Sequence, residues 1–155
     1  MPEISPFASS LHALASTVWV GGMFFAHMIL RPSLLSVDPP VRLPLWKQVF
    51  RRFFFWVWIS VVVLAATGYM QVYADYGDFD SSGLHISAMH ILGLVMFALF
   101  ALLYVFPYRR FCEAVDATDW PRAAENINVI RRIVTTNLLL GLINVVIGAS
   151  GRFWS

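Results

Sequence analysis

The stretch that decides the fold is residues 86–106, ISAMHILGLVMFALFALLYVF. It contains no Asp, Glu, Lys or Arg, and its one histidine is His90. A helix rises 1.5 Å per residue, so a stretch of this length crosses the roughly 30 Å hydrocarbon core of a bilayer. The stretch therefore predicts a transmembrane helix that carries an ionisable side chain inside it.

Apolar segments of similar length occur four times, at about 7–30, 53–74, 86–106 and 133–150. Of the 155 residues, 59% are hydrophobic and 13% are charged, and a soluble domain of this size cannot bury so much apolar surface. The alternating segments of roughly ten residues that build membrane barrels are not seen. We expect an all-α, integral membrane four-helix bundle that forms a single domain over residues 1–155.

The distribution of charge predicts the orientation of the bundle. Basic residues lie in the connections between spans one and two and between spans three and four, whereas the connection between spans two and three carries Asp75, Asp78 and Asp80 and no base. Basic connections stay in the cytoplasm, so both termini are expected outside. We therefore predict a multi-pass protein of a bacterial inner membrane with no nucleic-acid partner. The basic residues are Arg31, Arg42, Lys47, Arg51, Arg52, Arg109, Arg110, Arg122, Arg131 and Arg132.

The two basic connections also contain amphipathic sequence. Residues 43–52 alternate aromatic and basic side chains, which predicts a cytoplasmic segment in the membrane interface. Residues 119–132 form a second such segment, in which Asp119 is the predicted helix N-cap and Pro121 lies in the first turn. The N-terminus lacks the basic region of a signal peptide, so the first span is expected to remain in the mature protein.

Two histidines occur at matching depths in spans that run in the same direction. His12 lies a little over one turn into span one, and His90 lies a similar distance into span three. An ionisable group in a membrane span is costly and therefore indicates a functional site. His85 points roughly 140° away from His90 at 100° per residue, and His27 lies near the inner end of span one. The prediction is that His12 and His90 converge in the outer leaflet.

Small and polar residues on the interior faces favour close packing around this pair. Gly22 and Gly93 lie on the helices of His12 and His90, while Asn137 and Asn144 belong to a Gly/Asn stripe on span four that we expect to face inward. Span two offers a comparable face, which comprises Ser60, Thr67, Gly68 and Gln71.

Two cofactors fit this pattern. A b-type haem needs two axial imidazoles, a slot opened by glycines and a cation near its propionates. The residues predicted to bind haem b are His12, His90, Trp19, Gly22, Gly93 and Arg152. Copper takes imidazole and thioether ligands, and for copper the predicted ligands are His12 and His90 with His85, Met89 and Met70. A closed zinc set and a Ser-His-Asp set are not found, so no catalytic residue is assigned and any enzymatic activity is expected to be that of an oxidoreductase.

The sequence resembles the copper-resistance D (CopD) family of small bacterial membrane proteins. The resemblance rests on SLHALASTVWVGGMFFAHMILRPSLL (10–35), RRFFFWVW (51–58), MHILGLVMFALFALLYVFPYRR (89–110), DWPRAA (119–124) and NLLLGL (137–142). It implies a four-helix membrane bundle and a role in copper movement or tolerance beside a periplasmic copper-binding partner. The first helix also has a distant likeness to the HemJ-type haem b membrane proteins, which carry an early histidine seven residues before a tryptophan, as His12 and Trp19 do here.

Three functions follow as hypotheses. The first is a haem b-binding redox protein that passes electrons between a quinone or periplasmic redox partner and an acceptor near the outer face. The second is copper binding or transport by the same histidines, with a copper-carrying protein as partner. The third is a non-catalytic subunit of a larger membrane complex. The lipid bilayer is a partner in each case, and the oligomeric state is left open.

Overall fold

The computed structural model describes residues 4–78 and 82–153, apart from the side chains of Ile4, Ser5 and Arg152. All of its regular elements in these ranges are helical, which confirms the all-α prediction. The α-helices are α1 (Ile4–Phe24), α2 (Arg31–Ser33), α3 (Pro39–Asp75), α4 (Leu84–Val105), α5 (Pro107–Asp116) and α6 (Trp120–Ser150). A π-helical segment, Phe25–Leu30, joins α1 to α2, and a 3₁₀ turn, Gly151–Phe153, follows α6.

Four helical stretches are long and apolar enough to cross a bilayer. Only 17–22% of the residues in their most apolar windows are buried inside the protein, so much apolar surface is left for contact with lipid. This arrangement confirms the predicted four-helix membrane bundle. The stretches are Pro6–Ser33, Pro39–Asp75, Leu84–Asp116 and Trp120–Ser150.

Neighbouring spans are antiparallel, because each short connection reverses the chain. Helix α1 packs mainly against α3 and also against α6, and α4 packs mainly against α6. Aromatic side chains join α3 to α4, as in the contact of Trp58 with Phe100. Helices α1 and α4 are therefore diagonal in the bundle and run in the same direction.

Trp19 of α1 and Phe97 of α4 meet across the centre of the bundle. Their rings stack with centroids 5.6 Å apart. Phe100 packs edge to face against the indole of Trp19, and the centroids of these two rings are 6.2 Å apart. Trp19 is 2% exposed. Aromatic pairs of this kind add stabilisation beyond the area that they bury, so this contact sets the relative height of α1 and α4.

Residues 43–52, predicted as an interfacial segment, belong to the same helix as span two. Asp38 has an extended backbone, and Pro39 begins α3 with a preset φ. From there the helix runs unbroken to Asp75, and Leu43, Trp46 and Phe50 are buried. Helix α5 covers this end of α3, since Phe50 packs edge to face on Phe111 at 5.9 Å. Protein, rather than lipid head groups, therefore surrounds the aromatic residues of this segment.

Helix α5 follows α4 directly and begins at Pro107. Proline lacks the N–H that would continue α4, and it displaces the backbone of Phe106 to φ −104° and ψ −79°. The new helix buries Tyr108, Phe111 and Ala114, and packs along α6. Lys47 of α3 also forms an ion pair with Asp116 at its end. Helix α5 thus closes the basic end of the bundle.

Helix α6 begins as the sequence predicts. The Asp119 carboxylate accepts a hydrogen bond from the backbone N–H of Arg122 at 3.1 Å, and Pro121 occupies the first turn. One helix then continues through Arg131 and Arg132 into span four.

Loss of this N-cap should destabilise the protein measurably. Asp119→Ala leaves the N–H of Arg122 without its acceptor, and we expect a loss of about 1 kcal/mol in the free energy of unfolding. Thermal unfolding in detergent measures the effect, with Glu125→Ala, an exposed position on the same helix, as the matched control. Equal melting temperatures for the two variants would contradict the capping role.

Candidate metal-binding site

His12 is held by the hydroxyl of a buried threonine on α3. Its Nδ1 lies 2.8 Å from Oγ1 of Thr67, a residue that is 5% exposed. The same Oγ1 lies 2.6 Å from the carbonyl oxygen of Val63 and donates its only proton there. Thr67 therefore accepts a hydrogen bond from Nδ1–H of His12. This tautomer leaves the lone pair on Nε2, which is the form of imidazole that ligates metals.

The His12 ring rests on the turn of α3 that contains Thr67 and Gly68. A Cβ atom at Gly68 would lie 3.4 Å from Cε1 of His12, so the backbone of α3 approaches the ring to van der Waals distance. One turn further out, Ser9 donates a hydrogen bond to Oε1 of Gln71 at 3.4 Å. The predicted polar face of span two thus contacts α1.

His90 approaches the same turn of α3 from α4. Its ring is half-buried and packs edge to face against Tyr69, with centroids 5.5 Å apart. His12 therefore contacts Thr67 and Gly68, and His90 contacts Tyr69, the next residue of α3. The convergence of their nitrogens on one ligand stays a prediction.

The stack of Trp19 on Phe97 gives the two histidines a common height. His12 precedes Trp19 by seven residues, and His90 precedes Phe97 by seven residues. Seven residues span about 10 Å and turn the helix through nearly two full rotations. Because α1 and α4 run in the same direction, each histidine lies on the face of its stacked aromatic residue and about two turns beyond it.

The two glycines of the predicted haem slot have different surroundings. A Cβ at Gly22 would lie 2.3 Å from Cε2 of Phe53, so the space beside Gly22 is filled by that ring. Gly22 brings α1 and α3 together rather than opening a gap. A Cβ at Gly93 would meet nothing within 4 Å. A side chain is thus accommodated beside Gly93, as it is beside Gly21, but not beside Gly22.

Two of the three additional donors predicted for copper pack against glycines at the end of α6 and beyond it, and the third is exposed. The ring of His85 lies against Gly151, and the thioether of Met89 lies against Gly148, at the end of α6 and beyond it. Met70 is 47% exposed. Within residues 4–78 and 82–153 no group of three or more His, Cys, Asp or Glu side chains is arranged for a metal ion.

The remaining predicted residues divide between packing and the opposite end of the bundle. Asn137 is 2% exposed and donates to the carbonyl oxygen of Met96 at 3.2 Å, as the inward-facing stripe predicts. His27 lies 3.4 Å from Oγ1 of Thr135, far along α1 from His12. The side chain of Arg152, predicted to pair with a propionate, lies outside the described residues.

Comparison with known sequences identifies the family. Residues 47–150, more than half of the chain, match the sequence model of a family described as copper resistance protein D. The chain belongs to the CopD family. The match to CopD includes His85, Met89 and His90 and begins after His12. The family identifies a membrane protein related to copper resistance.

The CopD chain also resembles a curated protein from Aquifex aeolicus (strain VF5), which is named an uncharacterized protein. The two are 33% identical over 73 residues, which cover 46% of this chain and 50% of the relative. The chain thus spans about half the length of the curated relative that it matches. No solved structure matches it significantly.

Proposed function

We propose that this CopD-family chain is a haem b-binding electron-transfer protein of the inner membrane, with His12 and His90 as axial ligands. The observation that carries the proposal is the hydrogen bond from Nδ1–H of His12 to Thr67. A metal-ligating histidine is normally oriented by such a bond at its second ring nitrogen. A neutral imidazole always has one unprotonated nitrogen, and this bond makes it Nε2, the atom that would bind the iron.

The number of donors also favours haem. Two imidazoles on facing helices complete the axial coordination of a b-type haem, whereas a protein-bound copper ion commonly takes three or more ligands. Two of the other predicted copper donors, His85 and Met89, instead pack against Gly151 and Gly148 at the end of α6 and beyond it.

The surrounding residues have separate tasks in this proposal. Thr67 fixes the ring of His12, and Tyr69 packs against the ring of His90. Trp19 and Phe97 close the core about two turns further in, which keeps water from the inner half of the bundle. Haem, when bound, supplies a one-electron couple. Its position in the outer leaflet suits exchange with a quinone or a periplasmic redox partner.

Spectroscopy of protein purified from bacterial membranes tests the proposal. We expect a Soret band, a reduced spectrum typical of haem b, and iron in a one-to-one ratio with the chain by metal analysis of the same sample. Protein that lacks haem when it is expressed in cells supplied with a haem precursor would refute the proposal.

Copper binding is the second candidate, and the family description favours it. Two imidazoles are suitable ligands for copper, and in this case copper would be cargo rather than a resident cofactor. Two results would favour copper over haem as the ligand. They are metal analysis that finds copper without haem, and copper-sensitive growth of cells that lack the protein.

The proposed role of Thr67 in orienting His12 predicts that substitutions of Thr67 change the affinity for haem. Thr67→Val removes the acceptor for Nδ1–H of His12, and we expect haem affinity to fall by roughly 10- to 100-fold. Transfer of haem to an apoprotein acceptor measures the change. Thr67→Ser keeps the hydroxyl and should retain haem like the wild type. Equal rates of haem loss from the valine and serine variants would exclude an orienting role.

A further inference from the structure

The end of the bundle opposite to His12 contains a cleft lined by cationic and polar side chains. Its volume is about 410 Å³. No carboxylate is among the described residues that line it. The lining residues are Arg31, Asn128, Arg131, Arg132, Thr135 and Thr136.

Several N–H donors at this end are buried without an acceptor. Nε of Arg131, Nε of Arg42 and Nε1 of Trp46 are fully buried and form no hydrogen bond. Trp46 and His27 line a smaller pocket that shares Arg31 and Arg131 with the cleft. Three of the six buried side-chain atoms that lack a partner among the described residues lie at this end, and because buried polar groups are nearly always paired, they indicate a missing acceptor.

The positive charge at this end is not neutralised within the described part of the chain. Arg31 and Arg42 lie within electrostatic range of Arg131. None of these three arginines forms an ion pair within the described part of the chain. The ion pairs found there join Lys47 to Asp116 and Arg122 to Glu113. Like charges that are held together repel one another unless an anion lies between them.

The π-helical segment contributes to the cleft. The backbone N–H of Arg31 donates a hydrogen bond to the carbonyl of Ala26, five residues back, whereas an α-helix bonds four residues back. His27 thereby contacts Thr135 of α6, and Arg31 lines the cleft. Met28 and Ile29 on the same segment are 54% and 49% exposed. Apolar surface thus lies directly beside the cationic cleft.

We propose that this cleft binds a phosphate group, and that the phosphate belongs to the head group of an anionic phospholipid. Guanidinium groups bind phosphate oxygens through paired, charge-assisted hydrogen bonds. The cleft lies where the basic connections meet the spans, at the level of head groups, and basic pockets at this level bind anionic lipids. The exposed Met28 and Ile29 would contact the acyl chains. Free phosphate shares this chemistry and is the alternative source.

Native mass spectrometry of delipidated protein tests the proposal by titration with phosphatidylglycerol and, separately, phosphatidylcholine. We expect preferential binding of phosphatidylglycerol, weakened about tenfold in Arg131→Gln and in Arg31→Gln, since each removes a charged donor. Arg131→Lys should lose less affinity for phosphatidylglycerol than Arg131→Gln, because lysine keeps the positive charge. Arg110→Gln, an exposed arginine of α5, is the matched control and should bind like the wild type.

Stability separates binding from a structural effect. Arg131→Gln removes a repelling charge, so without lipid it should unfold at the wild-type temperature or above. Equal phosphatidylglycerol binding by the wild type and Arg131→Gln would overturn the proposal, as would weaker binding accompanied by a lower unfolding temperature. Inorganic phosphate that binds to protein in phosphatidylcholine nanodiscs, with no preference for phosphatidylglycerol, would overturn the assignment to lipid and identify free phosphate as the ligand.

Discussion

Protein that carries both His12→Ala and His90→Ala should contain no haem and show no Soret band, although it should still insert as a four-helix protein. Each imidazole is proposed as one axial ligand, so a single substitution should convert a six-coordinate, low-spin spectrum into a five-coordinate one. Absorption spectra of the two single variants and the double variant, normalised to protein content, measure the effect.

His85→Ala and His27→Ala are the matched controls for this series. The ring of His85 packs against Gly151, and that of His27 lies beside Thr135. Both variants should keep the wild-type spectrum. An unchanged Soret band in the double variant would exclude the axial pair. If both histidines can be replaced without any loss beyond assembly, the hypothesis of a non-catalytic subunit gains support.

Gly22→Ala should destabilise the bundle by roughly 1–3 kcal/mol, the usual range for overpacking. The added methyl would lie 2.3 Å from the ring of Phe53, and either the ring or the helix must move. Gly21→Ala is the neighbouring control, because a Cβ there meets nothing within 4 Å. Thermal unfolding in detergent should therefore distinguish two adjacent and chemically identical substitutions.

A second substitution tests whether the contact with Phe53 causes the loss of stability in Gly22→Ala. Phe53→Leu removes the ring that fills the space, so the double variant Gly22→Ala/Phe53→Leu should lose less stability than the sum of the single variants. Additive losses would show that the contact is not responsible. A loss of haem from Gly22→Ala at unchanged stability would instead support the predicted role of Gly22 in the cofactor site.

The class of fold was predictable because its signals are local. Four apolar segments of membrane-spanning length and the scarcity of charge lead directly to a four-helix bundle. The start of α6 was equally accessible, since Asp119 and Pro121 satisfy requirements of the first helical turn alone. The inward position of Asn137 followed from its spacing along one helical face.

Features that depend on a distant partner were not predictable in the same way. Periodicity indicates that Gly22 lies on an interior face, but it does not reveal that Phe53 fills the adjoining space. The continuity of α3 through residues 43–52 was missed for a similar reason. An alternation of aromatic and basic residues suits a membrane interface as well as a helix covered by α5, and only the packing of α5 decides between them.

In the candidate site, too, local features were predictable and contacts with distant residues were not. The depths of His12 and His90 could be counted along the sequence, and Thr67 could be placed on an interior face. The pairing of His12 with Thr67 required the α1–α3 contact. The arginines near the opposite end were interpreted as signals of orientation, since a linear sequence does not show that Arg31 and Arg131 share one cleft.

The π-helical segment Phe25–Leu30 separates the contact of α1 with α3, made by His12 and Thr67, from the contact of His27 with Thr135 of α6. A π-helix turns less per residue than an α-helix, so the six residues of this segment cover nearly the rotation of five α-helical residues. Deletion of one residue from the segment would therefore restore α-helical winding and leave the two contacts in nearly the same relative setting. The same single-codon deletion elsewhere in the helix would rotate the two parts by about 100° relative to each other and should separate one of them from its partner.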